Sequence, residues 1–346
     1  MKPINLNKTV FGFIITLMIT LQMQMKLGSL PYKTKQFFLV LVKLSIVFGA
    51  GYFIYEKLAN NSELSFSNFV QFTGKNNVFA PKNITFLLIF TIFNWFFEIL
   101  KWQKLISIVQ NISFKNAMEQ SLGALTASLF TPNRIGEYGA KAIFYDSNYR
   151  KKVMLINLIS NMLQMTTTLI LGSIGFIIFV STYDITVDYY KIGRLVILAL
   201  LIIVFFGFGI AQNRFKIKGF SISSIKTFII DFSSRKLILG ALLSFLRYGI
   251  FSFQFYYILH LFNVNIGYLD AMVVITSMYL LASIIPSIFI FDVIIKGSIA
   301  VYLFSFLDIN PLITLCTITL MWLLNFAIPS CFGSFYVLNF KLSKQE

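Results

Sequence analysis

A chain of 346 residues that is 57% hydrophobic, 17% aromatic and only 12% charged is too apolar for an ordinary soluble domain, which is about 45–50% apolar and about 25% charged. A formal charge of +16 would point to nucleic acid in a soluble protein. Here the bases flank apolar spans instead of forming a separate basic domain, so topology and anionic lipid head groups account for them and no nucleic-acid partner is expected. Mean hydropathy of +0.79 and 40 Phe residues agree with a lipid-facing surface.

The first 25 residues read as an extension. Val10 to Leu21 is apolar but short and follows Lys2 and Lys8, like a signal peptide, yet no small-residue cleavage site follows it. The expectation is a dispensable segment 1–25 and one transmembrane domain over 26–346, with Met25 at or near the working start. Phe37 to Tyr55 is the first span, entered from the cytoplasmic side after Lys33 and Lys35. The loop from Glu56 to Asn83 has three bases against two acids, as suits the outer side. Ile84 to Leu100 is the second span, and it carries Asn94, Trp95 and Glu98 before Lys101, Trp102 and Lys104. Glu98 is either part of an interfacial anchor with a snorkelling lysine or a carboxylate facing the next element.

That next element organises the chain. Ala117 to Phe130 is 14 residues, short of the roughly 20 that a span needs. It runs into Thr131-Pro132-Asn133-Arg134-Ile135-Gly136-Glu137-Tyr138-Gly139-Ala140-Lys141. Pro132 disfavours helix at Thr131, and Gly136 and Gly139 let the backbone turn or approach a neighbour. Arg134, Glu137 and Lys141, at spacings of three and four, share one face of a short return helix. Broken backbone at membrane depth is tolerated only against protein or water. The stretch is therefore read as a re-entrant half-helix from the cytoplasmic side and as the leading binding-site candidate. From Lys101 to Lys152 eight bases face three acids, which places its ends in the cytoplasm.

Val153 to Val180 is the third span, the balanced loop Ser181 to Arg194 is outer, and Leu195 to Ala211 returns inward. Asn213 to Lys236 has six bases against one acid, interrupted by Phe220, Ile222, Ile225, Phe228, Ile229 and Ile230. It reads as a cytoplasmic helix on the membrane surface. Leu237 to Phe262 is the next span, with Arg247 and Gln254 inside it. A charge at that depth should face protein or water, as a ligand contact or as a structural pair with a carboxylate. Ala271 to Ile285 is again short and is broken at Pro286-Ser287. Asp292, Lys296 and Gly297 follow, then an apolar piece to Phe306. A second re-entrant element from the outer side is one reading, and a tilted span from Asp270 to Ile290 is the other. Leu312 to Leu338 crosses inward, so the C-terminus is expected in the cytoplasm. Two interrupted segments of opposite sense are the sequence pointer to an inverted repeat with a site near the midplane. The expected fold is thus all-α: a polytopic membrane helix bundle with two broken elements.

These motifs also carry a likeness. Thr131 to Glu137 resembles the proline–glycine–acidic signature of the lysylphosphatidylglycerol synthase transmembrane region, a flippase-like integral membrane family. Asn94-Trp95, Glu98 and Lys101-Trp102 resemble that family too, as do Arg247-Tyr248 with Gln254, and Pro286 with Asp292 and Lys296-Gly297. The late motif departs from it, since 286–296 lacks the glycine-rich run of better-known members. The resemblance implies binding and translocation of a polar-headed lipid across a bacterial-type cytoplasmic membrane. The lipid would be an aminoacylated phospholipid, an aminolipid or a polyprenyl-linked sugar. With no soluble aminoacyl-transfer domain before Glu346, lysyl-lipid synthesis is not implied.

The substrate-contacting candidates are Arg134, Glu137, Lys141, Asp292, Lys296, Arg247 and Glu98, with Pro132, Gly136, Gly139 and Pro286 shaping the backbone. The bases would hold a phosphate, helped by half-helix amides. No catalytic pair, P-loop, cofactor motif or metal site is expected. His260 is the only histidine, and Cys316 and Cys331 fall in one apolar run. Expected partners are membrane lipids, mainly anionic, and a separate lipid-modifying enzyme if the protein is a scaffold. The remaining alternative is a membrane-embedded transferase with Glu137 or Asp292 as general base.

Overall fold

The computed structural model describes residues 66–129, 131, 134–183, 227–228, 230–284 and 291–340, with 41, 44 and 48, and for 66 and 291–296 the backbone alone. The extension 1–25, nearly all of the expected span 37–55, the span 195–211, most of the surface segment 213–236, Pro132 and Pro286 lie outside them. Among the described residues there are nine helices and no strand, so the fold is an all-α bundle. They are α1 (Phe66–Lys75), α2 (Pro81–Ile106), α3 (Phe114–Ser128), α4 (Gly136–Ala142), α5 (Ser147–Thr182), α6 (Ser234–Leu261), α7 (Tyr268–Ile284), α8 (Phe291–Ser305) and α9 (Pro311–Asn339). α2, α5, α6 and α9 are long and apolar enough to cross a bilayer, as a multi-pass membrane protein requires. Helix α5 bares Met162, Met165, Leu169, Ile170, Ile174 and Ile177.

Local chemistry sets the helix starts. Pro81 and Pro311 sit in the first turns of α2 and α9, where a missing N–H costs nothing. The Asn310 side chain accepts from the Leu312 amide at 2.8 Å, and Ser113 Oγ accepts from the Asn116 amide at 3.1 Å to cap α3. Helix α6 begins at Ser234. Arg235 and Lys236, expected on the surface segment, therefore belong to its first turn, and Lys236 donates to Ser107 Oγ at 2.6 Å.

Cross-helix contacts fix the packing. α2 and α6 run antiparallel: Gln254 reaches the Leu87 carbonyl at one end and Lys236 reaches Ser107 at the other. α3 runs antiparallel to the last third of α9. Thr126 Oγ1 donates to the Ser330 carbonyl at 2.8 Å, and a Cβ on Gly333 would overlap the Leu122 carbonyl and the Thr126 hydroxyl. Such close backbone approach through small residues is how membrane helices associate where lipid removes the hydrophobic drive. α5 and α7 repeat the device, with Gly172 and Gly175 against Leu280 and Thr276.

The first interrupted element is seen as a broken helix, whereas the interruption of the second lies outside the described residues. α3 has 15 residues and α4 has 7, each too short to span, and the described parts of α7 and α8 have 17 and 15. α7 ends at Ile284, and residues 285–290 lie outside the description. Of the two roles expected for Gly139, a turn or a close approach, the structure does not show the turn. The residue lies inside α4, where its carbonyl accepts from the Ile143 amide.

Two apolar clusters form the core. One gathers Leu87, Phe255, Ile258, Phe304 and Leu320. The other gathers Trp95, Trp102, Leu105, Leu125, Ile156 and Leu129. The polar side chains of α2 between Leu87 and Trp102 fall where one cluster gives way to the other, and there the candidate site lies.

Candidate functional site

The break between α3 and α4 is built by one hydroxyl. Thr131 Oγ1 donates to the Ser128 carbonyl at 2.8 Å and accepts from the Gly136 amide at 3.0 Å. It thereby satisfies the end of one helix and the start of the next. Gly136 is required sterically, since a Cβ there would stand 2.9 Å from both the Ala127 carbonyl oxygen and Thr131 Cγ2. Arg134 completes the reversal with φ of 55°, the left-handed region that costs a non-glycine residue on the order of 1 kcal/mol.

The turn delivers three charges into the bundle. Glu137 takes Arg134 Nη2 on Oε2 at 3.0 Å and Lys141 Nζ on Oε1 at 2.8 Å. Lys141 also donates to Asn157 Oδ1 on α5 at 2.9 Å, and its ammonium lies 4.2 Å from the ring centre of Trp102 on α2. Trp102 is held in place by donating to Gln120 Oε1 at 2.8 Å, which Tyr145 Oη also reaches at 2.9 Å.

A second knot adjoins the first. Glu98 Oε2 pairs with Lys101 at 2.8 Å and with Arg247 at 2.9 Å. Arg247 further donates to Asn94 Oδ1 at 3.0 Å and to Gln164 Oε1 at 3.3 Å. From Asn94 a hydrogen-bonded chain continues to Asn325 Oδ1 at 2.7 Å, from Asn325 to Gln254 Oε1 at 2.9 Å, and from Gln254 to Thr91 and the Leu87 carbonyl. Asn325 sits in a π-helical turn, Leu323–Ala327. Pro329 has no N–H to return to the Asn325 carbonyl, and the Trp95 indole donates to that oxygen at 3.1 Å instead.

The two knots adjoin, because Lys141 lies over the ring of Trp102, the chain neighbour of Lys101 on α2. Among the described residues the two together contain four bases (Lys101, Arg134, Lys141, Arg247) against two carboxylates (Glu98, Glu137), which leaves two positive charges over. Lys101 and Lys141 are 1% exposed, whereas the Arg134 side chain is 36% exposed and opens the cluster to the outside. Each carboxylate is a hub for two cations.

Of the residues expected from sequence, Arg134, Glu137, Lys141, Arg247 and Glu98 come together here. The interfacial-anchor reading of Glu98 is corrected: Lys101 does not snorkel but is buried against Glu98. Asp292 and Lys296 lie on α8, with side chains outside the described residues. Lys101 as a charge partner, Asn157 and Gln164 on α5, and Asn325 were missed as site residues. Asn157, Ser160, Asn161 and Gln164 share one face of an otherwise apolar helix, and that periodicity was the available signal. A cavity of about 520 Å3 lined by Ser298, Val301, Tyr302, Ser305, Pro311 and Leu315 shares no residue with the cluster.

Fold and cluster together define a multi-pass helical membrane protein with a buried, net cationic polar centre. The chain matches no protein-family model, no curated protein and no solved structure.

Proposed function

We propose that the protein binds and translocates a polar-headed lipid across the cytoplasmic membrane, as the flippase-like resemblance implies. The observation that carries this reading is the buried cluster of four bases and two carboxylates at a broken, non-spanning helix pair. Buried ionisable groups in membrane segments are costly and mark substrate paths, and broken helices are how transporters present backbone and charge to a substrate. The charge excess of 101–152 and 213–236 supports cytoplasmic placement of both, and of the C-terminus. The partners are then anionic membrane lipids.

The transferase alternative is less well supported. Glu137 would be a poor general base, because each of its oxygens already accepts from a cation. No observation favours a scaffold role over direct lipid handling.

The test is reconstitution into vesicles with head-group-labelled lipids, scored by protection from a membrane-impermeant quencher. Wild type should move at least one anionic or aminoacylated lipid, and Arg134→Ala should not. Vesicles in which no lipid changes leaflet faster than in protein-free controls would sink the proposal.

A further inference from the structure

Three buried donors of the cluster are unspent among the described residues, two beside the Lys141–Glu137 pair and one beside Glu98. Arg134 uses Nη2 on Glu137, but its Nε has no hydrogen-bond partner among the described residues. Asn157 gives its carbonyl oxygen to Lys141, yet its Nδ2 is unpartnered and the residue is 0% exposed. Lys101 is ion-paired to Glu98 but makes no aligned hydrogen bond, and an ammonium has three N–H groups to place. Glu137 already meets a cation on each of its oxygens. The site is rich in donors and short of acceptors.

The charge points the same way. Arg134 and Arg247 cannot shed a proton, and between them they balance Glu98 and Glu137. The formal surplus of two belongs to the cluster as a whole, since Lys101 and Lys141, both out of water, each stand 2.8 Å from a carboxylate that an arginine also meets. A buried charge without a counter-charge costs several kcal/mol.

We propose that the junction of α2, α4 and α5 holds a phosphate-type oxyanion carrying two negative charges, the charge state of a phosphomonoester. The proposal rests on the lipid-handling reading only for its setting. A phosphomonoester presents three terminal oxygens and, with a second pKa of about 6, carries close to two charges near pH 8. Three free donors and two surplus charges match it. A phosphodiester offers one charge and two free oxygens, which is a poorer complement. A cationic amine would add positive charge to a cluster that already has more bases than carboxylates among the described residues. The anion could be a lipid head group or free phosphate, since the chemistry is shared, and Arg134 at the exposed end gives either one access.

The experiment uses the full chain in phosphatidylcholine nanodiscs at about pH 8, with equal phosphatidic acid and phosphatidylglycerol, and native mass spectrometry of retained lipid. Phosphatidic acid should be retained with about ten-fold preference. Asn157→Asp keeps an acceptor for Lys141 while replacing a free donor by a negative charge, so the preference should fall about ten-fold. Arg134→Gln, at the partly exposed position, should reduce it as well. Inorganic phosphate that displaces the lipid supports a free oxyanion as ligand, and retention against it supports the head group. Equal retention of the two lipids by wild type, or an unchanged preference in both variants, overturns the assignment. A protein that selects phosphatidic acid yet moves no lipid leaves this inference standing and removes the transport reading. Translocation without that selection does the reverse.

Discussion

Glu98 and Glu137 each serve two buried cations, whereas each base leans on one carboxylate, and this asymmetry has a measurable consequence. Glu98→Gln keeps the shape but removes the single negative charge shared by Lys101 and Arg247. Breaking a buried pair by deleting one partner costs about 3–5 kcal/mol, because the other charge is left uncompensated. Here two charges are left, and the surplus in the cluster rises from two to three. Arg247→Met is the milder change. Glu98 keeps Lys101 at 2.8 Å, the surplus falls from two to one, and the losses are the Arg247–Glu98 ion pair and the hydrogen bonds to Asn94 and Gln164, about 2–4 kcal/mol in all. Glu98→Gln should therefore cost more than Arg247→Met. Steric-trap unfolding in bicelles measures both on one scale. If Arg247→Met is the costlier substitution, the hub assignment and the count of surplus charge are both wrong.

The same logic separates the two ends of the return arm. Arg134→Ala should leave the fold nearly intact, at about 0–1 kcal/mol, because its side chain is partly solvated and Glu137 retains Lys141; the same unfolding assay should show Glu137→Gln costing several times more. At the helix break, Gly136→Ala pushes a methyl to 2.9 Å from the Ala127 carbonyl and should destabilise by about 1–3 kcal/mol, visible as a lowered melting temperature in detergent. Pro329→Ala restores an N–H opposite the Asn325 carbonyl and competes with the Trp95 indole. The expected result is a shift in tryptophan emission that vanishes in a Trp95→Phe background. For topology, a cysteine at Ser223 in a Cys316→Ala, Cys331→Ser background should resist a membrane-impermeant thiol reagent in intact cells; labelling from outside would refute the cytoplasmic placement.

The helices and their class were legible in the one-dimensional pattern. Runs such as 153–180 and 312–338 are apolar at a length only a membrane calls for, and Thr131-Pro132 and Pro286-Ser287 interrupt two others that are too short to span. Backbone chemistry is local, so proline, glycine and run length suffice to place a break. The face shared by Arg134, Glu137 and Lys141 was legible for the same reason, because spacings of three and four are a property of one helix. What the sequence could not state is which helix stands opposite. Lys101 reads as an interfacial lysine beside Lys104 until α6 lays Arg247 against Glu98 and α4 lays Lys141 over Trp102. Asn325 reads as one polar residue in an apolar run until Pro329 frees its carbonyl and α2 supplies the Trp95 indole. Partner choice across 149 residues, as between Glu98 and Arg247, depends on packing through small residues such as Gly333, Gly172 and Gly175, whose complementary surfaces exist only once the helices meet. Sequence therefore determined the helices and the break, and tertiary packing alone decided that six charges share one buried centre with positive charge to spare.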